Sequence, residues 1–79
     1  RLAGLVIRPH KPPTRSGKPV VFFSLEDEYG QIDVTVFENV YQKYGRLIYH
    51  SPLLWVEGRV EKRGRGVSIV ARHIETFSP

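Results

Sequence analysis

A single segment of helical periodicity interrupts a chain that is otherwise patterned for β-strands, and this order limits the folds open to it. Residues 31–37 alternate with period two, which predicts a strand with one buried face. Its inward residues are Ile32, Val34 and Val36, and its outward residues are Asp33, Thr35 and Phe37. In residues 38–45 the apolar side chains recur at helical spacing, and a glycine there is a suitable C-terminal stop. We therefore expect a short helix that ends at Gly45.

Apolar and β-branched segments predict four further strands, at residues 2–8, 20–27, 52–62 and 67–74. Prolines and glycines separate them, with a loop at residues 9–19, a turn at residues 28–30 and a tight hairpin turn at residues 63–66. In the fourth strand we expect Leu54, Val56 and Val60 to face inward and Gly58 to mark a bend. Five strands with a helix between the third and fourth is the layout of the OB-fold, a Greek-key barrel. The sequence therefore predicts one all-β domain over residues 1–79, a five-stranded OB-fold barrel.

The positive charge is clustered rather than spread along the chain. Eight of the twelve Lys and Arg residues lie in residues 8–18 and 59–65, although the formal net charge is only +4. A local concentration of charge attracts a polyanion more strongly than scattered charge does. In an OB-fold these segments fall in the two loops that rim the outer face of strands two and three, where oligonucleotides bind. Each cation taken alone is equally well explained as a solvated surface charge. As a group they predict phosphate contacts to a single nucleic-acid strand: Arg8, Lys11, Arg15, Lys18, Arg59, Arg63 and Arg65.

The outer face of strands two and three supplies a predicted platform for a base. If Phe23 points inward, alternation turns Phe22 outward, where its ring can stack on a base. The predicted platform residues are Phe22, Ser24, Asp33 and Thr35. A bulge that buries Phe22 and exposes Phe23 is the alternative. On this platform Asp33 either accepts a hydrogen bond from a base amino group or repels phosphates towards the two rims.

The chain carries no recognisable catalytic constellation. Cysteine is absent, and no nucleophile elbow, phosphate-binding glycine loop or paired histidine ligands are found. The acidic residues 26–28 cannot converge on one metal ion because strand side chains alternate, and we expect Asp27 to accept backbone N–H groups before Gly30. No apolar run approaches the ~20 residues of a membrane span. We therefore expect a domain that is not an enzyme by itself, with no cofactor, metal, small-molecule substrate or membrane contact.

Six runs of this sequence are similar to the OB domain near the C-terminal end of bacterial family C DNA polymerases, the alpha subunits of DNA polymerase III and their error-prone relatives. The runs are residues 4–7, 13–18, 23–30, 32–37, 41–44 and 56–60. The resemblance implies a non-catalytic module that contacts single-stranded template beside the polymerase core, with nucleotidyl transfer elsewhere in a longer parent. It implies single-stranded DNA and the other polymerase domains as partners, in the bacterial cytoplasm at the nucleoid. The lack of any methionine also indicates a piece excised from a longer chain.

A weaker resemblance links the chain to the anticodon-binding OB domains of aspartyl, asparaginyl and lysyl tRNA synthetases. It rests on Phe22, Leu25, Asp27 and Gly30, and it implies that Phe22 stacks on a base. The chain departs from those domains at Glu26, where they usually carry arginine, and in its proline-rich basic loop. Binding of RNA in the manner of a tRNA anticodon therefore stays an alternative. Another is protein docking within a replication assembly, through Trp55 and the helix tyrosines Tyr41, Tyr44 and Tyr49, which otherwise pack the helix over the barrel end.

Overall fold

Five strands and one helix follow one another in the predicted order. We describe them from a computed structural model, which covers residues 1–77 apart from the side chain of Arg63. The elements are β1 (Leu2–His10), β2 (Val21–Asp27), β3 (Gly30–Val36), α1 (Glu38–His50), β4 (Leu53–Arg63) and β5 (Gly66–Thr76). The strands close into a barrel in the order β1-β2-β3-β5-β4. All neighbouring strands are antiparallel except β3 and β5, which run parallel. The predicted OB-fold is confirmed.

The core is built from alternate residues of the strands and from one face of the helix. Val21, Phe23 and Leu25 on β2 are at most 3% exposed, so the predicted inward face of this strand is confirmed. On β3, Val34 and Val36 are fully buried. In the described part of the chain every buried side chain is apolar. Burial of apolar surface is therefore the main source of stability, as expected for a chain without disulfides.

The helix is longer than its sequence pattern predicted. It ends at His50 and not at Gly45, because the apolar stripe continues one turn further to Ile48, which is 2% exposed and packs in the barrel core. Gly45 lies inside the helix, beneath the ring of Tyr41: a Cβ at this position would be 2.8 Å from Tyr41 Cε1. The glycine therefore makes room for a tyrosine and does not end the helix.

Val60 was predicted to face the core and is 57% exposed. β1 pairs with β4 only as far as Val56, so the rest of the β4–β5 ribbon extends past the start of β1. Val60 lies opposite Ile69 on the part of β4 that β1 does not cover, so its side chain stays exposed although Ile69 itself is buried in the core. The bend predicted at Gly58 coincides with a shift in register between Glu57 and Gly58. There the two strands are so close that a Cβ on Gly58 would lie 2.0 Å from the carbonyl oxygen of Val70.

The acidic turn between β2 and β3 has the role expected from the sequence. Oδ1 of Asp27 accepts hydrogen bonds from the backbone N–H groups of Tyr29 and Gly30, at 2.8 and 3.1 Å. Gly30 has a φ of 137°, a backbone conformation that side chains disfavour. The carboxylate therefore closes a tight turn that fixes the register of the two strands on which the platform lies. Within residues 1–77, no helix has the length and apolar character needed to cross a membrane.

Candidate nucleic-acid interface

An open groove of about 720 Å³ lies over the outer face of β2 and β3. We call it the platform groove. All four predicted platform residues line it, so their placement on one surface is confirmed. Apart from the core residue Phe23, the lining residues with polar or aromatic side chains are Arg8, His10, Phe22, Ser24, Asp33, Thr35 and Ser68. The groove therefore combines a flat aromatic surface, hydroxyl groups, one carboxylate and one guanidinium.

Phe22 has the predicted outward orientation. Its neighbour Phe23 is 3% exposed and belongs to the core, whereas Phe22 is half-buried and pairs with Thr35 on β3. The bulge that would have exchanged the two rings is absent from the register of β2 with β3. The ring of Phe22 stacks on the imidazole of His10, with centroids 5.7 Å apart and planes inclined by 29°. Two aromatic rings in contact with each other therefore line the groove.

Ser24 and Asp33 are joined across the two strands of the platform. The two residues pair directly in the β2–β3 ladder, and Ser24 Oγ donates to Asp33 Oδ1 at 3.1 Å. The Ser24 hydroxyl therefore donates its hydrogen to the Asp33 carboxylate and helps to position it. Asp33 is exposed and points into the groove as a positioned hydrogen-bond acceptor.

A bulge in β1 brings Arg8 to the groove. The register with β2 passes from Ile7 opposite Ser24 to His10 opposite Phe22, so two residues of β1 oppose one of β2. Arg8 has a φ of 52°, in the left-handed region that is uncommon for a residue with a side chain. Because the bulge interrupts the ladder, Pro9 is tolerated, and β1 continues to His10 instead of ending at Arg8 as predicted.

The other predicted phosphate contacts are spread over several surfaces. Lys11 Nζ lies 5.4 Å from the centroid of the Tyr41 ring on α1, away from the platform groove. Arg59 forms an exposed ion pair with Glu61 at 2.9 Å, which offsets part of its charge. Arg15 and Arg65 are exposed in turns, and the side chain of Arg63 lies outside the described residues. Lys18 lines a separate groove. Of the seven cations, Arg8 is the one that lines the platform groove among the described side chains.

Two residues that line the groove, His10 and Ser68, were not among the predicted site residues. His10 falls in a segment predicted to be a loop, and Ser68 lies near the start of β5. Ser68 reaches the platform because β5 runs parallel to β3 and places it opposite Asp33. Pairing between residues so far apart in sequence leaves no local pattern. The alternation of Ser68 between Val67 and Ile69 would have been the only available sign that it faces outward.

Trp55 and two of the helix tyrosines are occupied by contacts within the chain. The guanidinium of Arg1 lies 4.7 Å from the Trp55 ring centroid, and Phe77 packs edge-on against the same ring at 5.2 Å. Tyr41 and Tyr44 pack against the core as predicted, but Tyr49 is 46% exposed and was predicted wrongly. Trp55, Tyr41 and Tyr44, three of the four aromatic residues in the docking hypothesis, therefore contact other parts of the same chain.

A chain of hydrogen bonds connects the helix to β5 on this side of the barrel. Tyr44 Oη lies 2.7 Å from His73 Nδ1, and His73 Nε2 lies 2.7 Å from Glu75 Oε1. Glu75 Oε2 accepts from Arg1 at 3.0 Å. The hydrogen bond from His73, aided by the positive charge of Arg1, lowers the pKa of the Glu75 carboxyl below its usual 4.5.

Glu75 should therefore contribute to the acid sensitivity of the fold. A carboxyl group with a lowered pKa stabilises the folded state above its unfolded pKa, and that contribution is lost as the pH falls through the folded pKa, below 4.5. We expect the melting temperature of Glu75→Gln to fall less steeply than that of the wild type over this range, measured by circular dichroism. Glu57→Gln, an exposed carboxylate on β4, is the matched control. Parallel curves for Glu75→Gln and the wild type would show that the network does not couple to folding.

Comparison with known proteins agrees with the architecture. The model of a family described as OB-fold nucleic acid binding domain matches residues 1–77. The chain is 57% identical over 76 residues to an error-prone DNA polymerase of Symbiobacterium thermophilum, covering 94% of this chain and 7% of that protein. Its identity to the error-prone DNA polymerase of Ruegeria pomeroyi is 38% over 78 residues, covering 99% of this chain and 7% of that protein. The chain is also 40% identical over 74 residues to the error-prone DNA polymerase of Bdellovibrio bacteriovorus, covering 94% of this chain and 7% of that protein. The chain thus spans about 7% of the length of these relatives.

Proposed function

This chain belongs to the family of OB-fold nucleic-acid-binding domains, and on that premise we propose that it binds single-stranded DNA along the platform groove. It acts as a non-catalytic module of a bacterial error-prone DNA polymerase and holds template near the polymerase core. Its partners are the DNA strand and the other domains of the parent polymerase, in the cytoplasm at the nucleoid. Similarity to relatives named as error-prone DNA polymerases supports the proposal that the parent protein is such a polymerase. The observation that carries the proposal is the outward ring of Phe22 in a groove that also holds Arg8.

The groove favours a single strand over a duplex. Stacking on Phe22 and His10 needs a base with a free face, and paired bases in a duplex are covered by their neighbours. A groove of about 720 Å³ accommodates a few unpaired nucleotides. The edge groups are hydroxyls and one carboxylate, too few to specify a sequence by hydrogen bonds. We therefore expect weak sequence preference.

The direct test is to titrate the chain with a short oligothymidine and follow backbone amide shifts by NMR. We expect shifts in residues 8–10, 22–24, 33–35 and 66–68, which line the groove. Arg8 is the one described cation in this groove, so the slope of log K against log salt should be shallow, about −0.7 for each phosphate contact. Shifts confined to the neighbourhood of Trp55 and Tyr49, or no shifts at low salt, would rule out the proposal and favour protein docking.

Charge removal gives a matched control for the same titration. Arg8→Gln should weaken binding to all sequences about equally and reduce the salt slope by about 0.7, because one phosphate contact is lost. Arg46→Gln removes the same charge from an exposed position on α1, outside the groove, and should change neither quantity appreciably. Equal effects of the two variants would mean that only net charge matters and that Arg8 has no specific role.

RNA binding is distinguished by competition. The similar proteins are named as DNA polymerases, which favours DNA as the ligand. Unlabelled oligouridine and unlabelled oligothymidine of the same length would each compete with a labelled oligothymidine for the chain. We expect the oligouridine to be no better a competitor than the oligothymidine. Clear preference for the RNA would transfer the proposal to an RNA ligand and leave the binding surface unchanged.

A further inference from the structure

A second groove, of about 500 Å³, lies beside the platform groove and contains an aromatic ring that the proposed site does not use. We call it the Phe37 groove. Its lining includes Lys18, Pro19, Val20, Phe37, Glu38 and Gln42. Phe37 is 48% exposed, so about half of its side chain is accessible to a ligand. Its ring packs neither into the barrel core nor among the residues that support it.

The Phe37 groove continues the platform along both strands. Phe37 follows β3 directly and keeps an extended backbone, with φ of −79° and ψ of 168°. The alternation of β3 therefore holds for one more residue and places Phe37 on the same face as Asp33 and Thr35. Val20 immediately precedes β2, two residues before Phe22, and lines the same groove as Phe37. The step from Thr35 to Phe37 is about 7 Å, a distance that one extended nucleotide can span.

The β1–β2 loop positions a cation at this second groove. Thr14 Oγ1 donates to the carbonyl oxygen of Lys18 at 2.8 Å, and the Lys18 N–H donates to Ser16 Oγ at 3.2 Å. A further bond from the Gly17 N–H to the Thr14 carbonyl, at 3.2 Å, closes the turn. The backbone of Lys18 is thus fixed, and its side chain lines the groove. Glu38 lies on the helix side, so a phosphate is favoured on the loop side near Lys18.

We propose that the Phe37 groove binds the next nucleotide of the strand held on the platform, with its base on the Phe37 ring and its phosphate at Lys18. The inference rests on the proposed function, since it extends the same bound strand by one position. The ligand is single-stranded nucleic acid, with no requirement for a particular base, because every base offers a face for stacking. Binding then involves two aromatic positions on one continuous face instead of one.

Removal of the ring can be tested without risk to the fold. Phe37 is the N-cap residue of α1 and makes no side-chain capping bond. Serine is among the preferred N-cap residues, so Phe37→Ser should leave the melting temperature equal to that of the wild type or higher. Loss of binding in this variant would therefore reflect the missing ring. Phe37→Tyr keeps the ring and serves as the rescue, and Tyr29→Ser removes an aromatic residue that is 89% exposed in the β2–β3 turn.

Affinity for a tetrathymidine labelled with a fluorophore would be measured for each variant by anisotropy at low salt. We expect Phe37→Ser to bind about tenfold more weakly, as for the loss of one stacked base. Phe37→Tyr and Tyr29→Ser should stay within about twofold of the wild type, the size of a change with no lost stacking. If Phe22→Ala weakens binding while Phe37→Ser equals the wild type, the second position is wrong and the platform stands. If the wild type fails to bind at all, the proposed function itself is overturned together with this extension.

Discussion

Gly58→Ala is expected to lower the free energy of unfolding by about 2–3 kcal/mol, a large loss for a domain of this size. The added Cβ would lie 2.0 Å from the carbonyl oxygen of Val70 and 3.0 Å from Cα of Ala71. Both obstacles are backbone atoms, so no side-chain rotation relieves the overlap. The two strands must instead separate at the position where β4 and β5 change register. Urea denaturation followed by circular dichroism measures the loss.

The control for this prediction is Gly64→Ala in the hairpin turn. Gly64 has a φ of 59°, but a Cβ there would have no atom within 4 Å beyond its two chain neighbours. The substitution should cost about 1–2 kcal/mol, from backbone strain alone. Equal losses for the two variants would show that the β4–β5 ribbon relaxes easily at Gly58. That result would refute the idea that close contact of the strands fixes the bend.

Phe22→Ala is expected to weaken binding of oligothymidine by about 1–3 kcal/mol, or roughly 5- to 150-fold. The ring is the main flat surface of the platform groove, and stacking on it needs no particular base. Because the variant removes no charge, the salt dependence should keep its slope. Fluorescence anisotropy at about three salt concentrations measures both the affinity and the slope of its salt dependence.

Phe22→Tyr retains the ring and should bind within about twofold of the wild type. Tyr29→Ala removes an exposed ring at the far end of the β2–β3 hairpin and should have no effect. Since Phe22 is half-buried and outside the core cluster, the folded structure should survive its loss. A flatter salt dependence with unchanged affinity would mean that Phe22 is no stacking surface and that the platform is wrongly placed.

The sequence predicted the part of the site that depends on local alternation. The period of two in β3 and the choice of Phe23 as the inward ring were enough to turn Phe22 outward, and the structure agrees. Parity is a short-range property of an extended backbone, so it can be inferred from neighbouring residues. For the same reason the carboxylate of Asp27 could be assigned to its turn.

The rest of the site depends on contacts that a linear pattern does not contain. Ser68 joins the platform through parallel pairing with β3, and Arg8 reaches it through a bulge. Lys11 was grouped with the phosphate contacts because of its position in a basic segment, but its side chain is directed to Tyr41. The charge of a segment can be counted from sequence, whereas the direction of each side chain depends on the folded neighbours.

The parallel pairing of β3 with β5 has a consequence for how the chain acquires its binding surface. Asp33 meets Ser68 only when two segments separated by the helix and all of β4 have come together, which is a costly loop closure. Such long-range pairings slow folding. Ser68 is part of the groove lining, so the groove is complete only in a chain in which β3 and β5 have paired. If a nucleic-acid strand binds this groove as proposed, it binds the closed barrel and stabilises that state by mass action.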